Sequence, residues 1–151
     1  MKAKSGFTLV EILIVVVILG ILAAIVIPQF TEASTEAKES SLCTDLQTVR
    51  SQIELYKIQH NDVLPVPEAG GATWLRMTQY SDISGNTQAT KDATFCYGPY
   101  LQKIPTNQFT DLNTVDVDGT AGDGSHGWYL NSTTGAFNAD DSGGTPPHSQ
   151  L

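Results

Sequence analysis

Between Phe7 and Ile27 the chain runs for 21 residues with a single charged side chain, Glu11, and closes on Pro28. Wound as a helix, that run would rise about 31 Å, the thickness of a bilayer's hydrocarbon core, so a membrane-spanning segment is what it is built to become. Lys2 and Lys4 precede it and no basic residue follows until Lys38. The preference for basic residues on the cytoplasmic side therefore places Met1 in the cytoplasm and the bulk of the chain outside.

Glu11 is the anomaly. A carboxylate at the centre of a membrane helix costs on the order of 3 kcal/mol, less near an end, and a plain anchor has no use for it. The order of features is a short basic leader ending in Gly6, then Phe7, then Glu11 four residues on, then the aliphatic run. This resembles the class III signal of type IV pilins and type II secretion pseudopilins. In that family a dedicated peptidase cuts after the glycine and methylates the new amino terminus. The resemblance implies a cut between Gly6 and Phe7, N-methylation of Phe7, and an assembly role for Glu11, whose carboxylate would neutralise the terminal amine of a neighbouring subunit. Electrostatics agrees, because cutting creates a cation in a low-dielectric place where a buried carboxylate can compensate it. Two other readings compete. A secretory signal would be removed whole at Thr31-Glu32-Ala33, and an unprocessed signal anchor would explain the hydropathy but not Gly6-Phe7 with Glu11.

The 151 residues are one domain's worth, with no room for a second large catalytic domain. The net charge is −8, and −10 once Lys2 and Lys4 are removed, which argues against nucleic acid as a partner. Cys43 and Cys96 are an even pair in a part expected to face an oxidising compartment. A Cys43 to Cys96 bridge is expected, against the alternative of two small hydrophobes that never meet.

After Pro28 the helical pattern continues, with no glycine or proline until Pro65. Leu42, Leu46, Val49, Ile53 and Tyr56 recur at spacings of 4, 3, 4 and 3, one stripe of a helix, while Lys38, Glu39, Asp45, Glu54 and Lys57 fall largely off it. A single helix from Phe7 to His60 would be about 80 Å long. Gly20 and Pro28 are its weak points, and a kink is expected near Pro28. The resemblance implies loosening between these two residues in an assembled filament.

The organisation expected is a leader at 1–6, a membrane and filament-core helix at 7–30, an amphipathic helix at 31–60, a globular head at 61–138 and a mobile tail at 139–151. Within the head, 72–80 suits a short helix burying Trp74, Leu75 and Met77. Phe95 to Leu101, Thr114 to Val117, Gly127 to Leu130 and Gly135 to Asn138 suit short strands, the last two forming a hairpin. By pattern this is α+β, a long helix packed on a small antiparallel sheet; by resemblance it is the pilin fold. A second resemblance lies in Leu101-Gln-Lys103-Ile104-Pro105-Thr-Asn107 with Phe109, similar to the Leu-x-Lys-Ile-Pro-x-(Asp/Asn)-Pro-(Trp/Phe) segment of major pseudopilins. Gln108 stands where that family has its second proline.

Asp116, Asp118 and Asp123 lie within eight residues on a glycine-rich loop, an oxygen-rich set that suits Ca²⁺, with a solvated turn as the alternative. No other cofactor is implied. Gly122 to Gly127 spells G-x-G-x-x-G but leads into a strand, which excludes a dinucleotide site. His60, His126 and His148 stand alone in sequence, and no nucleophile with a base is visible. The resemblance implies a structural rather than an enzymatic function: a pseudopilus subunit for type II secretion, with self, the prepilin peptidase, the inner-membrane assembly platform and the membrane as partners. It would reside in the bacterial inner membrane and then in a periplasmic or extracellular filament. The alternatives are an extended type IV pilus subunit and a membrane-anchored binding module.

Overall fold

The computed structural model describes residues 6, 8–67, 74–144 and 147–150. Helix α1 spans Leu9–Gln59 and continues through both Gly20 and Pro28. Pro28 has no N–H to give, so the Ala24 carbonyl loses its usual donor; just beyond, the Thr31 hydroxyl donates to the Ile27 carbonyl at 3.1 Å. Glu11 in the first turn and Lys57 in the last complement the helix dipole. The helix stops where Asn61 and Asp62 enter the left-handed region, at φ 54° and 66°, and the Asp62 N–H turns back to the Lys57 carbonyl at 2.9 Å.

Two compact units share this helix, Met1–Ala37 and Lys38–Leu151. In the first, the large apolar side chains from Leu9 to Phe30 are all half or more exposed. They cover nothing in the single chain, and the helix that carries them is long and apolar enough to cross a membrane.

The second unit has the core. The predicted stripe Leu42, Leu46, Val49, Ile53 and Tyr56 is buried, met by Trp74, Met77, Leu101, Ile104, Val115, Trp128, Leu130, Phe137 and Ala139. Helix α2 is Leu75–Thr78, shorter than expected, with Met77 and the preceding Trp74 buried and Leu75 only half-buried. Strands β3 Val115–Val117, β4 Trp128–Leu130 and β5 Phe137–Ala139 form one sheet. The Phe137 ring stacks between those of Trp74 and Trp128, with centroids 5.6 and 5.3 Å away. Arg50 ties α1 to β5 through the Phe137 carbonyl and the Asn138 side chain, both at 2.8 Å.

The α+β class and the β4–β5 hairpin stand, the latter pairing Leu130 with Phe137. The sheet itself is mixed: β3 runs parallel to β4, Val115 opposite Trp128. Three-residue strands carry no signal of direction. Here the glycine-rich loop acts as the crossover, with Asp118, Gly122 and Gly124 at positive φ turning the chain back so that the Gly127 and Trp128 amides both reach the Thr114 carbonyl at 3.1 Å. Phe95 to Leu101 is not a strand. Gly98 takes φ 72°, Pro99 follows through a cis bond without an N–H, and the ladder reduces to one bridge between Ser81 and Tyr97. A small hairpin of β1 Tyr80–Ser81 and β2 Thr87–Gln88 was not expected. Its turn is organised by Asp82, which accepts from the Ser84 and Asn86 amides at 2.9 Å.

The expected mobile tail is also corrected. Ala139, Asp140, Asp141 and His148 are buried, and His148–Gln150 closes in a 3-10 turn. The segment has few apolar residues, and beyond Ala139 polar groups hold it.

Candidate functional site

At the start of the chain, Gly6 is exposed with open space around it; Phe7 lies outside the described residues. Thr8 and Glu11 form a reciprocal cap. The Glu11 carboxylate accepts from the Thr8 amide and hydroxyl, both at 2.7 Å, while the Glu11 amide donates to the Thr8 hydroxyl at 3.3 Å. The Thr-x-x-Glu spacing is a capping box, legible in the sequence but not read there. It satisfies helix N–H groups that would otherwise lack partners and fixes the carboxylate at the start of α1. Glu11 is exposed in the single chain, so its carboxylate is open to a partner from outside it.

In the head, the Leu101 to Phe109 segment has a concrete role. Asn107 is fully buried. Its side-chain amide donates to the Gly127 carbonyl at 2.8 Å and to Asp141 at 3.1 Å, and its carbonyl accepts from the Phe109 amide at 2.8 Å. It fastens the segment after Pro105 to the residue that leads into β4 and to the segment after β5 at once. Leu101 and Ile104 enter the core, and Trp128 donates its indole N–H to the Pro105 carbonyl at 2.8 Å.

The carboxylates proposed for calcium do not converge. Among the described residues no group of three or more His, Cys, Asp or Glu is gathered for a metal ion. Asp118 is taken by the hydroxyl and amide of Ser132, which hold its carboxyl below the usual range. Asp123 accepts from Ser125 and is lowered by it. Asp116 lies against Gly119. The fourth carboxylate of this region, Asp140, was not singled out in sequence. It is buried and accepts from the Gly122 and His126 amides at 2.7 and 3.0 Å; burial raises its pKa, opposed by those same bonds. Asp118 and Asp123 thus spend their oxygens on Ser132 and Ser125 rather than on a shared centre with Asp116, and this arrangement of the three carboxylates is not a gathered ligand set.

The expected bridge is not formed either: Cys43 and Cys96 are free thiols, the first half-buried and the second exposed. Cys43 sits sixteen residues before Gln59, the last residue of α1, about 24 Å of helix rise. Cys96 adjoins Tyr97, whose ring lies 5.2 Å from that of His60 just past the helix end. A disulfide needs Cα atoms within about 7 Å.

The histidines are accounted for separately. His60 is a core residue stacked on Tyr56 at 3.8 Å. Its Nδ1 faces the Tyr56 carbonyl at 2.9 Å, which assigns the proton there and leaves Nε2 to accept from the Ser81 hydroxyl at 3.0 Å. Both residues are sealed from solvent, so this serine and histidine are structural. Nearby, burial pushes the Tyr100 phenol up to about 12, and its hydroxyl donates to Gln59 at 2.6 Å.

Residues 1–27 match the prokaryotic N-terminal methylation motif. The chain is 32% identical to the type II secretion system core protein G of Pseudomonas aeruginosa over 124 residues, 80% of this chain and 79% of that one. The chain belongs to the pilin and pseudopilin family. This pseudopilin is also 28% identical to core protein G of Vibrio cholerae over 84% of its own length and 86% of the relative's. It is 35% identical to the type IV narrow pilus major component PilA5 of Thermus thermophilus over 59% of this chain and 84% of that one. No solved structure matches.

Proposed function

We propose that this pseudopilin is the major structural subunit of a type II secretion pseudopilus. It is held in the inner membrane by the apolar half of α1, cut after Gly6, methylated on Phe7 by the prepilin peptidase, and passed by an inner-membrane assembly platform into a helical homopolymer. The observation that carries the reading is the similarity to core protein G over four-fifths of the chain, stem and head together. The physics of the stem supports it: a row of apolar residues that the single chain leaves uncovered needs lipid first and other copies later. Glu11 supplies the counter-charge for the amine created by cutting, exchanging its bonds to Thr8 for a neighbour's terminus.

A second reading, an extended type IV pilus, is favoured by the similarity to a narrow-pilus major component. Deleting the gene separates the two. Loss of exoprotein secretion with surface pili intact supports the secretion reading, and loss of surface pili alone overturns it. Mass spectrometry of membrane-extracted protein should find N-methylated Phe7 as the first residue; a terminus at Ser34 or an intact Met1 refutes the processing step. Glu11→Ala should still be cut but fail to accumulate as filament, since removing one partner of such a pair commonly costs about 3–5 kcal/mol.

A further inference from the structure

The 3-10 turn at the end of the chain is held by an imidazole set between two carboxylates. His148 is 2% exposed. Its Nδ1 lies 2.6 Å from Asp141 Oδ1, an acceptor, which fixes a proton on that nitrogen. The other Asp141 oxygen accepts from the Asn107 amide. The opposite ring nitrogen, Nε2, is buried with no hydrogen-bond partner, and Glu39 Oε1 on α1 stands 3.7 Å from it. Phe109 tilts against the ring at 4.2 Å, and Lys38 lies over Phe109 at 5.9 Å. Among the described residues, the charged groups around His148 are therefore Asp141 from the segment after β5, and Glu39 and Lys38 from α1. Asn107 and Phe109 are uncharged, and Asp140 is turned to Gly122 and His126.

A neutral imidazole leaves Nε2 as a buried acceptor with no donor, an arrangement native proteins avoid. A protonated one places a second N–H there, aimed at the Glu39 carboxylate. Lys38 opposes the added charge, but it is exposed and screened by solvent, whereas Asp141 is in direct contact. We propose that His148 is a proton-operated clasp. As imidazolium it bridges Asp141 and Glu39 and draws the turn His148–Gln150 onto α1 and the Asn107 segment; as neutral imidazole it lets go of Glu39. The closed clasp binds the proton that the open one releases, so closure is fullest at the acid end and is lost as pH rises through the range where histidines change charge.

The test is amide hydrogen exchange on the full chain in detergent micelles, corrected for intrinsic rates, at about pH 5.5 and 7.5 on either side of the ordinary histidine range. The His148 and Ser149 amides, bonded to the Gly143 and Asp141 carbonyls, report on the turn. Their protection should be roughly tenfold or more greater at the lower pH, about 1.4 kcal/mol in the closing equilibrium. Nitrogen NMR should show both His148 ring nitrogens protonated there. Glu39→Gln, at a side chain 45% exposed and outside the core, should shrink the difference below about threefold, and His148→Gln should remove it. Equal protection of the native turn at both pH values overturns the clasp, as does an undiminished difference in Glu39→Gln, which decides the matter even if His148→Gln does not fold.

Discussion

Leu19 and Leu46 belong to the same helix, yet one is 58% exposed and the other 1%. Around Leu19 every turn is apolar on all sides, a pattern with no inside. Around Leu46 apolar residues keep to one stripe, and that stripe meets Val115, Trp128 and Phe137 of the sheet. Burying a leucine contributes about 1.5–3 kcal/mol relative to leaving it in water. The head collects that stabilisation within its own chain. The stem collects it only from lipid or from other copies. Continuous secondary structure thus hides two different sources of stability, and the same substitution should read differently in each.

The largest effect is expected at Trp128, fully buried between Phe137 and the core. Trp128→Ala should destabilise the head by about 3–5 kcal/mol, and Leu46→Ala by about 2–5, in thermal melts of the full chain in micelles. Leu19→Ala should leave the same melt within about 0.5 kcal/mol while lowering filament yield. A loss in that melt as large as that of Leu46→Ala would break the contrast between the two regions.

Next comes Asn107→Ala, expected to cost about 1–3 kcal/mol in denaturant titrations, because the Gly127 carbonyl and Asp141 lose a buried donor. It sharpens the comparison by asking how much of the head rests on polar fastening rather than on apolar burial.

A smaller effect is expected from acid. Asp82, Asp92, Asp118 and Asp123 all have carboxyls held low by hydrogen bonds: Asp82 first by the Asn86 side chain, Asp92 by the Phe95 amide, Asp118 by Ser132 and Asp123 by Ser125. A lowered folded-state pKa contributes stability above the unfolded value, near 3.8, that is lost as pH falls below it. The melting temperature should therefore fall as pH drops from about 4 toward 2, below the ordinary carboxyl range. Ser132→Ala should blunt that fall by removing the hydroxyl bond to Asp118. An acid response unchanged in this variant would show that Ser132 does not hold the Asp118 carboxyl.

The smallest effect is expected from calcium. With Asp118 engaged by Ser132 and Asp123 by Ser125, the melt should be the same in millimolar calcium and in chelator. A rise abolished by Asp118→Ala would mean that the loop rearranges around the ion.

Much of the head's architecture was legible because it rests on periodicity. The stripe from Leu42 to Tyr56 and the hairpin around Asn131 to Gly135 follow from spacing and turn chemistry. The C-terminal segment was misread because its signal is not apolar. Asp140, Asp141 and His148 are polar residues that earn burial through partners far away in sequence, such as Asn107 and Glu39, which no local window contains. The three aspartates of the glycine-rich loop illustrate the same limit. Proximity in sequence suggested a common ligand, but Asp118 turns to Ser132, fourteen residues on.

What the sequence determined by itself is whatever depends on local order: the helix, its division into an all-apolar and a one-striped half, the methylation motif over residues 1–27, and Glu11 with its cap at Thr8. Hydropathy, helical period and capping act within a few residues, so they can be read along the chain. Only the tertiary structure decided the parallel pairing of β3 with β4, the separation of Cys43 from Cys96, and the burial of Asp141 and His148. Each depends on which distant segments meet, and that choice is made by the closing of the whole core, because a polar group or a thiol in isolation favours no particular partner.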